Sequence, residues 1–250
     1  MDQERAVAES WDDEYRAGRY LHEPPVAFVS DIVAAARQRR IFRGLYLGCG
    51  NGRNFVPLTE AGLDLAGIDL SEEAVRQLRL RLPSRAHQIW VGDLTSLEDG
   101  VAYPLVIAIQ VLQHGDRRWA GSAFARAQAL TAPGGLLCVR VNASGSEREF
   151  AYDLTESGPG ESETIVYREG PKRGLTIHFY SLLELEGLIS RDFTPLLGPR
   201  RVREGRAPPS TGSWYQWEVI WERVRPLPAV PEGEAEPGPL PADDKRRRAE

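Results

Sequence analysis

Three glycines at alternate positions, Gly48, Gly50 and Gly52, follow the apolar run Leu45-Tyr46-Leu47 and lead into a stretch with helical patterning. A loop of this kind makes a tight turn and lets a ligand approach the main chain without meeting side chains. Asp69 stands 21 residues after Gly48, at the end of the next apolar run. That is close to the spacing at which a carboxylate hydrogen-bonds a pair of ribose hydroxyls, the plain alternative being a solvent-facing carboxylate at a strand end. Asp93, in Trp90-Val91-Gly92-Asp93-Leu94, is a second carboxylate 24 residues further on. It is suited to accept a hydrogen bond from an adenine amino group, with a helix N-cap as its ready alternative. A dinucleotide loop would read G-x-G-x-x-G, with its third glycine where Arg53 stands, whereas this loop reads G-x-G-x-G. The pattern therefore suits an adenosyl group better than a pyrophosphate.

These residues need an open parallel sheet to hold them, and the hydropathy pattern supplies one. Strand-like runs at 44–48, 64–69, 87–92, 105–111, 135–142, 194–202 and 214–224 alternate with helical patterns at 26–40, 53–61, 72–82, 117–130 and 181–190. This alternation specifies an α/β fold with helices flanking the sheet. Ser71, followed by Glu72 and Glu73, is an expected helix N-cap, and Gly134-Gly135 after Pro133 an expected turn into the fifth strand. Residues 143–180 interrupt the rhythm and read as a hairpin inserted over the carboxyl ends of the strands, a candidate lid. Residues 1–25 are expected to be a cover segment and 26–225 the main domain. The stretch 226–250, with six prolines and blocks of charge, is expected to be a disordered tail.

Composition narrows the function classes. The formal net charge of -5, from 36 acidic and 31 basic residues, gives no overall attraction to nucleic acid or anionic membrane. The two cysteines, Cys49 and Cys138, lack the spacing of a zinc site, so no metal is expected. They also lack the density of a disulfide scaffold. The acidic, polar N-terminus is unlike a signal peptide, and no apolar run approaches the roughly 20 residues that span a bilayer. The expected compartment is the cytoplasm.

Taken in order, LGCGNG at 47–52, GIDLS at 67–71, GDL at 92–94, LVIAIQVLQH at 105–114, APGG at 132–135, FYSLLEL at 179–185 and WYQWEVIWERV at 214–224 resemble the class I S-adenosylmethionine-dependent methyltransferases. The resemblance implies a Rossmann-like, seven-stranded, mostly parallel sheet of order 3-2-1-4-5-7-6, with the last strand antiparallel and helices on both faces. It implies S-adenosylmethionine as cofactor, with Gly48, Cys49, Gly50, Asn51 and Gly52 at its methionine portion and Asp69 at the ribose. Leu70 and Leu94 would flank the adenine, Asp93 would meet its amino edge, and the Gln110 carbonyl would receive the methionine ammonium. One departure is Tyr103-Pro104-Leu105-Val106, where the family often places Asp two residues before the valine.

The segment from Trp11 to Pro25 resembles the N-terminal cover of small-molecule members, which makes Tyr15, Arg19 and Tyr20 candidate lid or substrate residues, with His178 and Tyr180 on the inserted hairpin as further candidates. Methyl transfer from a sulfonium needs positioning and a dry pocket, and a base only where the acceptor must lose a proton. His114 is the candidate base because an unperturbed histidine titrates near neutrality, and a histidine that merely bonds its loop is the equal alternative. The expected acceptor is a small molecule. An RNA- or protein-directed enzyme and a non-catalytic cofactor-binding module are the alternatives. The Asn/Asp-Pro-Pro-aromatic run that grips a flipped base is absent, since IQVLQH stands in its place.

Overall fold

A computed structural model of the chain describes residues 2–205 and 212–224. The expected tail, 226–250, lies outside the described residues. In chain order the strands are β1 (Arg43–Leu47), β2 (Asp64–Asp69), β3 (Ile89–Val91), β4 (Tyr103–Ile109), β5 (Thr131–Asn142), β6 (Tyr152–Ser157), β7 (Glu163–Tyr167), β8 (Thr176–Phe179), β9 (Phe193–Gly205) and β10 (Ser213–Arg223). The helices are α1 (Asp2–Arg16), α2 (Phe28–Arg39), α3 (Phe55–Glu60), α4 (Glu72–Arg81), α5 (Arg117–Ala129) and α6 (Leu182–Leu188). The main sheet has the order β3-β2-β1-β4-β5-β10-β9. Its first five strands run parallel, and β10 lies antiparallel to both β5 and β9. This is the expected order once the three inserted strands are numbered.

The parallel strands are covered on both faces, which explains their unbroken apolar runs. Successive side chains of a strand point to opposite faces, so β4 divides its residues between two cores. Leu105, Ile107 and Ile109 pack with Phe28 and Ile32 of α2, Phe55 of α3 and Leu78 of α4. Val106 and Ala108 pack with Phe124 of α5 and Leu185 of α6. Caps fix where the helices begin: Ser71 Oγ accepts from the Ala74 amide at 3.0 Å, as expected. Asp116 accepts from the Trp119 amide at 2.7 Å, and Ser181 Oγ from the Glu184 amide at 3.1 Å. Each such cap stabilises its helix by about 1 kcal/mol. Among the described residues, no helix is long and apolar enough to cross a membrane.

The structure corrects several boundaries. The third strand is shorter than expected because Pro83–Gln88 forms a 3-10 turn. The Pro133 turn lies inside β5: pairing with β4 jumps from Tyr103–Thr131 to Leu105–Leu136, so the intervening residues bulge out. The insert is a three-stranded antiparallel sheet, β6-β7-β8, where a hairpin was expected. β6 is exposed along its whole length, so burial imposes no two-residue alternation on its sequence. This small sheet supports α1, whose Val7 and Trp11 pack against the cluster of Ile165, Leu175, Ile177 and Phe179.

Candidate functional site

The glycine loop leaves the end of β1 with φ of 65° at Gly48, 54° at Gly50 and 95° at Gly52, all in the left-handed region that glycine tolerates. A Cβ on Gly48 would stand 2.7 Å from Val111 Cγ2, and one on Gly50 would stand 2.7 Å from Tyr15 Oη. The loop is tied to the end of β2. The amides of Gly48 and Cys49 both donate to Ile68 O, at 2.8 and 3.1 Å, and the Gly50 amide donates to Asp69 Oδ2 at 2.7 Å. Asp69 Oδ1 accepts from the Ser71 amide at 2.9 Å. Burial pushes the Asp69 carboxyl above its ordinary range, opposed by these amides. Leu94 is buried and Leu70 half-buried. Asp93 accepts from the Thr95 amide at 2.7 Å and so also serves as the cap of a short 3-10 turn. Cys49 is a buried free thiol whose pKa burial raises well above the usual value, so it is no nucleophile.

Helix α1 and the segment after it close over this loop, and the residues that fasten them include several the sequence reading passed over. Asp12 Oδ1 accepts from Ser71 Oγ at 2.5 Å and from the Glu73 amide at 3.1 Å, joining α1 to the N-terminus of α4. Gln77 donates to the Tyr15 carbonyl at 2.9 Å. Asn51, almost fully buried, donates to the Arg19 carbonyl at 3.1 Å and to Gln77 Oε1 at 3.2 Å, so its side chain brackets the cover. Tyr15 lies on Gly50, with its ring 5.8 Å from that of Tyr20. Tyr20 takes φ of 64°, and burial pushes its phenol up to about 12. The Arg19 guanidinium forms an ion pair with Glu14 at 2.9 Å. No sequence motif marks Asp12 or Gln77, because they act only once α1 docks on α4.

Beyond β4 the chain turns through Gln110, at φ of 58°, whose amide donates to Arg140 O at 2.7 Å. The Gln110 carbonyl meets His114 Nε2 at 2.9 Å. A carbonyl only accepts, so Nε2 carries the proton and Nδ1 is an acceptor. Nδ1 is buried and has no hydrogen-bond partner among the described residues. Burial, with a contribution from the positive charge of Lys172, lowers the His114 pKa to about 3. The expected near-neutral basicity is therefore corrected: in this closed state the imidazole is neutral and weakly basic. Trp11 meets it edge-on at 4.9 Å.

His178 and Tyr180 take places different from the expected lid positions. His178 is buried, with Nδ1 at 2.9 Å from Thr164 Oγ1 and Nε2 at 2.8 Å from Glu184 Oε2. Tyr180 is fully buried, donates to Leu112 O at 2.5 Å and packs against Phe124. Both spend their polar atoms inside the body of the protein. An alternating strand ending in a polar aromatic looks the same in sequence whichever face is covered.

Residues 45–137 match the family model described as a methyltransferase domain. No curated protein matches the chain in sequence. Solved structures share the fold across nearly the whole chain. The 1,6-didemethyltoxoflavin-N1-methyltransferase of Burkholderia thailandensis, solved with 1,6-didemethyltoxoflavin and S-adenosylhomocysteine, is 19% identical with a TM-score of 0.61, over 90% of this chain and 91% of that one. The magnesium protoporphyrin IX methyltransferase of Synechocystis, solved with bound SAM, is 17% identical with a TM-score of 0.59, over 90% and 98%. The CcbJ methyltransferase of Streptomyces caelestis is 16% identical with a TM-score of 0.58, over 86% and 98%.

Proposed function

From residues 45–137, which match the methyltransferase-domain family, and a sheet of class I methyltransferase order, we propose that this chain transfers a methyl group from S-adenosylmethionine to a small-molecule acceptor. The observation that carries the reading is Asp69, held by the Gly50 and Ser71 amides directly beneath a loop of three left-handed glycines. The cofactor supplies an activated methyl on its sulfonium. Asp69 would accept from the ribose hydroxyls, Leu70 and Leu94 would flank the adenine, and Asp93 would accept from its amino group. The loop from Gly48 to Gly52, with Cys49 and Asn51, would face the methionine portion, and the Gln110 carbonyl would take its ammonium. The chain's work is then to orient the acceptor in line and to exclude water. Trp11, Tyr15 and Tyr20 give the closed side of the site an aromatic wall.

A small acceptor is supported by the enclosing cover and by relatives solved with, or named for, small heterocycles. Tyr15 rests where a ligand would meet Gly50, so entry requires the cover to move. Titration calorimetry with S-adenosylhomocysteine tests the cofactor. Binding is expected in preference to NAD, and Asp69→Ala is expected to weaken it at least tenfold, because a hydrogen bond to a charged group contributes about 1.5–3 kcal/mol. Unchanged affinity in a folded Asp69→Ala protein would overturn the assignment. Radiolabelled methyl recovered in RNA or protein, with none in small molecules, would overturn the acceptor class.

A further inference from the structure

Asp93 and Leu94 stand at the start of the stretch from 92 to 102, which joins β3 to β4 and holds no regular element beyond the 3-10 turn Leu94–Ser96. The stretch folds first on itself: the Thr95 amide donates to Asp93 Oδ1 at 2.7 Å, and the Ser96 amide and hydroxyl donate to Asp93 O at 3.0 and 2.6 Å. These bonds shape the turn without fixing where it lies on the body of the protein. Packing gives part of that position, since Leu94 belongs to the apolar cluster that includes Ala123 and Ala127 of α5, and Leu97 packs against the same cluster. The rest comes from Arg126, in the last turn of α5. Its Nη2 donates to Leu97 O and, at 3.1 Å, to Glu98 O, while Nη1 donates to Asp99 Oδ1 at 2.7 Å. Among the described residues, the hydrogen bonds that reach residues 97–99 from elsewhere in the chain all come from Arg126.

This grip rests on carbonyls more than on charge. Asp99 is 98% exposed, and an ion pair to so exposed a carboxylate contributes little. Leu97 O and Glu98 O are main-chain atoms, so holding them fixes the course of the backbone, and the guanidinium presents its donors from one rigid fork. Backbone fixed at 97–98 orients the turn just before it. Because Asp93 Oδ1 is spent on the Thr95 amide, the direction of Oδ2 follows that turn. We propose that Arg126 is a positioning residue for the adenine end of the cofactor: through Leu97 O and Glu98 O it seats the turn so that Asp93 accepts from the adenine amino group, and so sets the preference for adenine over a purine without that group. It acts through the main chain and not on the ligand. This rests on the methyltransferase reading above and adds a specificity determinant to that same site.

The test titrates the full chain with S-adenosylhomocysteine and with its purine analogue, in which hydrogen replaces the adenine amino group. The wild type is expected to bind S-adenosylhomocysteine at least tenfold more tightly than the analogue, because the analogue leaves the Asp93 carboxylate without its donor. Arg126→Met keeps the apolar stem and loses the fork, and is expected to bring the two ligands within about threefold by weakening S-adenosylhomocysteine. Arg126→Lys should keep an intermediate preference, and Asp99→Ala the full one. Melting curves establish that each variant is folded, and Arg126→Lys decides if Arg126→Met does not fold. An equal weakening of both ligands in the Arg126 variants, the mark of a residue that only stabilises the fold, would overturn the proposal. So would a collapse of the preference in Asp99→Ala, since the exposed ion pair and not the carbonyls would then seat the turn. Failure of the wild type to bind S-adenosylhomocysteine would remove the underlying reading and this proposal with it, whereas a wild-type preference left unmoved by both Arg126 variants would remove this proposal alone.

Discussion

His114 shows how a single side chain changes its chemistry once its surroundings are fixed. With its proton on Nε2, donated to the Gln110 carbonyl, and with burial opposing a second proton, the ring has a pKa of about 3 against an ordinary 6.5. Between those values the unfolded chain binds a proton that the native state refuses, so stability falls as pH drops below about 6.5. In the acceptor-free protein, the ring carbon-bound proton signals of His114 should therefore stay in their neutral positions down to pH 5 by NMR. From pH 7 to pH 5 the wild type should lose melting temperature relative to His114→Gln. Protonation of His114 near pH 6.5 would show that water reaches the ring.

At the scale of elements, two polar assemblies hold the parts that surround the site. Asp12 caps α4 from outside through Ser71 and the Glu73 amide, and this is what seats α1 on the glycine loop. Asp12→Ala should loosen the cover by about 1 kcal/mol, the typical worth of a cap. Amide hydrogen exchange of Gly48–Gly52 should then quicken several-fold, while the core strand β4 keeps its protection. Uniform acceleration in both would mean global destabilisation.

The second assembly joins the inserted sheet to α6. Burial would raise the Glu184 carboxyl, but hydrogen bonds with His178 and Arg117 outweigh it and bring the pKa down to about 2. A depressed carboxylate stabilises above its unfolded pKa, here 4.5, and loses that contribution as pH falls towards 2. The full contribution is about 3 kcal/mol at 1.36 kcal/mol per pKa unit. Urea midpoints measured from pH 5 to pH 2.5 should fall more steeply for the wild type than for Glu184→Gln.

For the molecule as a whole, the far side of the sheet depends on charges enclosed between strands. Arg140 of β5 is 1% exposed and donates to Glu218 of β10 at 2.9 Å, with Glu204 of β9 as its second partner. Arg200 of β9 donates to the other oxygen of Glu218 at 2.7 Å and to Asp31 of α2 at 2.5 Å. Removing one member of a buried pair leaves the other uncompensated, so Glu218→Ala should cost about 3–5 kcal/mol in urea unfolding. A loss under 1 kcal/mol would mean that Glu204 alone satisfies Arg140.

While the sheet order was what the family resemblance implied, the sequence by itself determined the alternation of strands and helices, the glycine loop and the position of Asp69. Each is a local pattern, a run of apolar residues or a fixed spacing, that the backbone expresses without help from distant contacts. The Ser71 cap was equally legible, because its donor lies three residues away. The tertiary structure decided the rest. Exposed β6 carries no hydrophobic period to be read. His178 and Tyr180 became buried connectors because α6 and α5 cover the face to which they point. Asp12 and Gln77 gained their roles only when α1 docked. Burial and long-range charge set what these groups do, and neither is a property of a residue's neighbours in sequence.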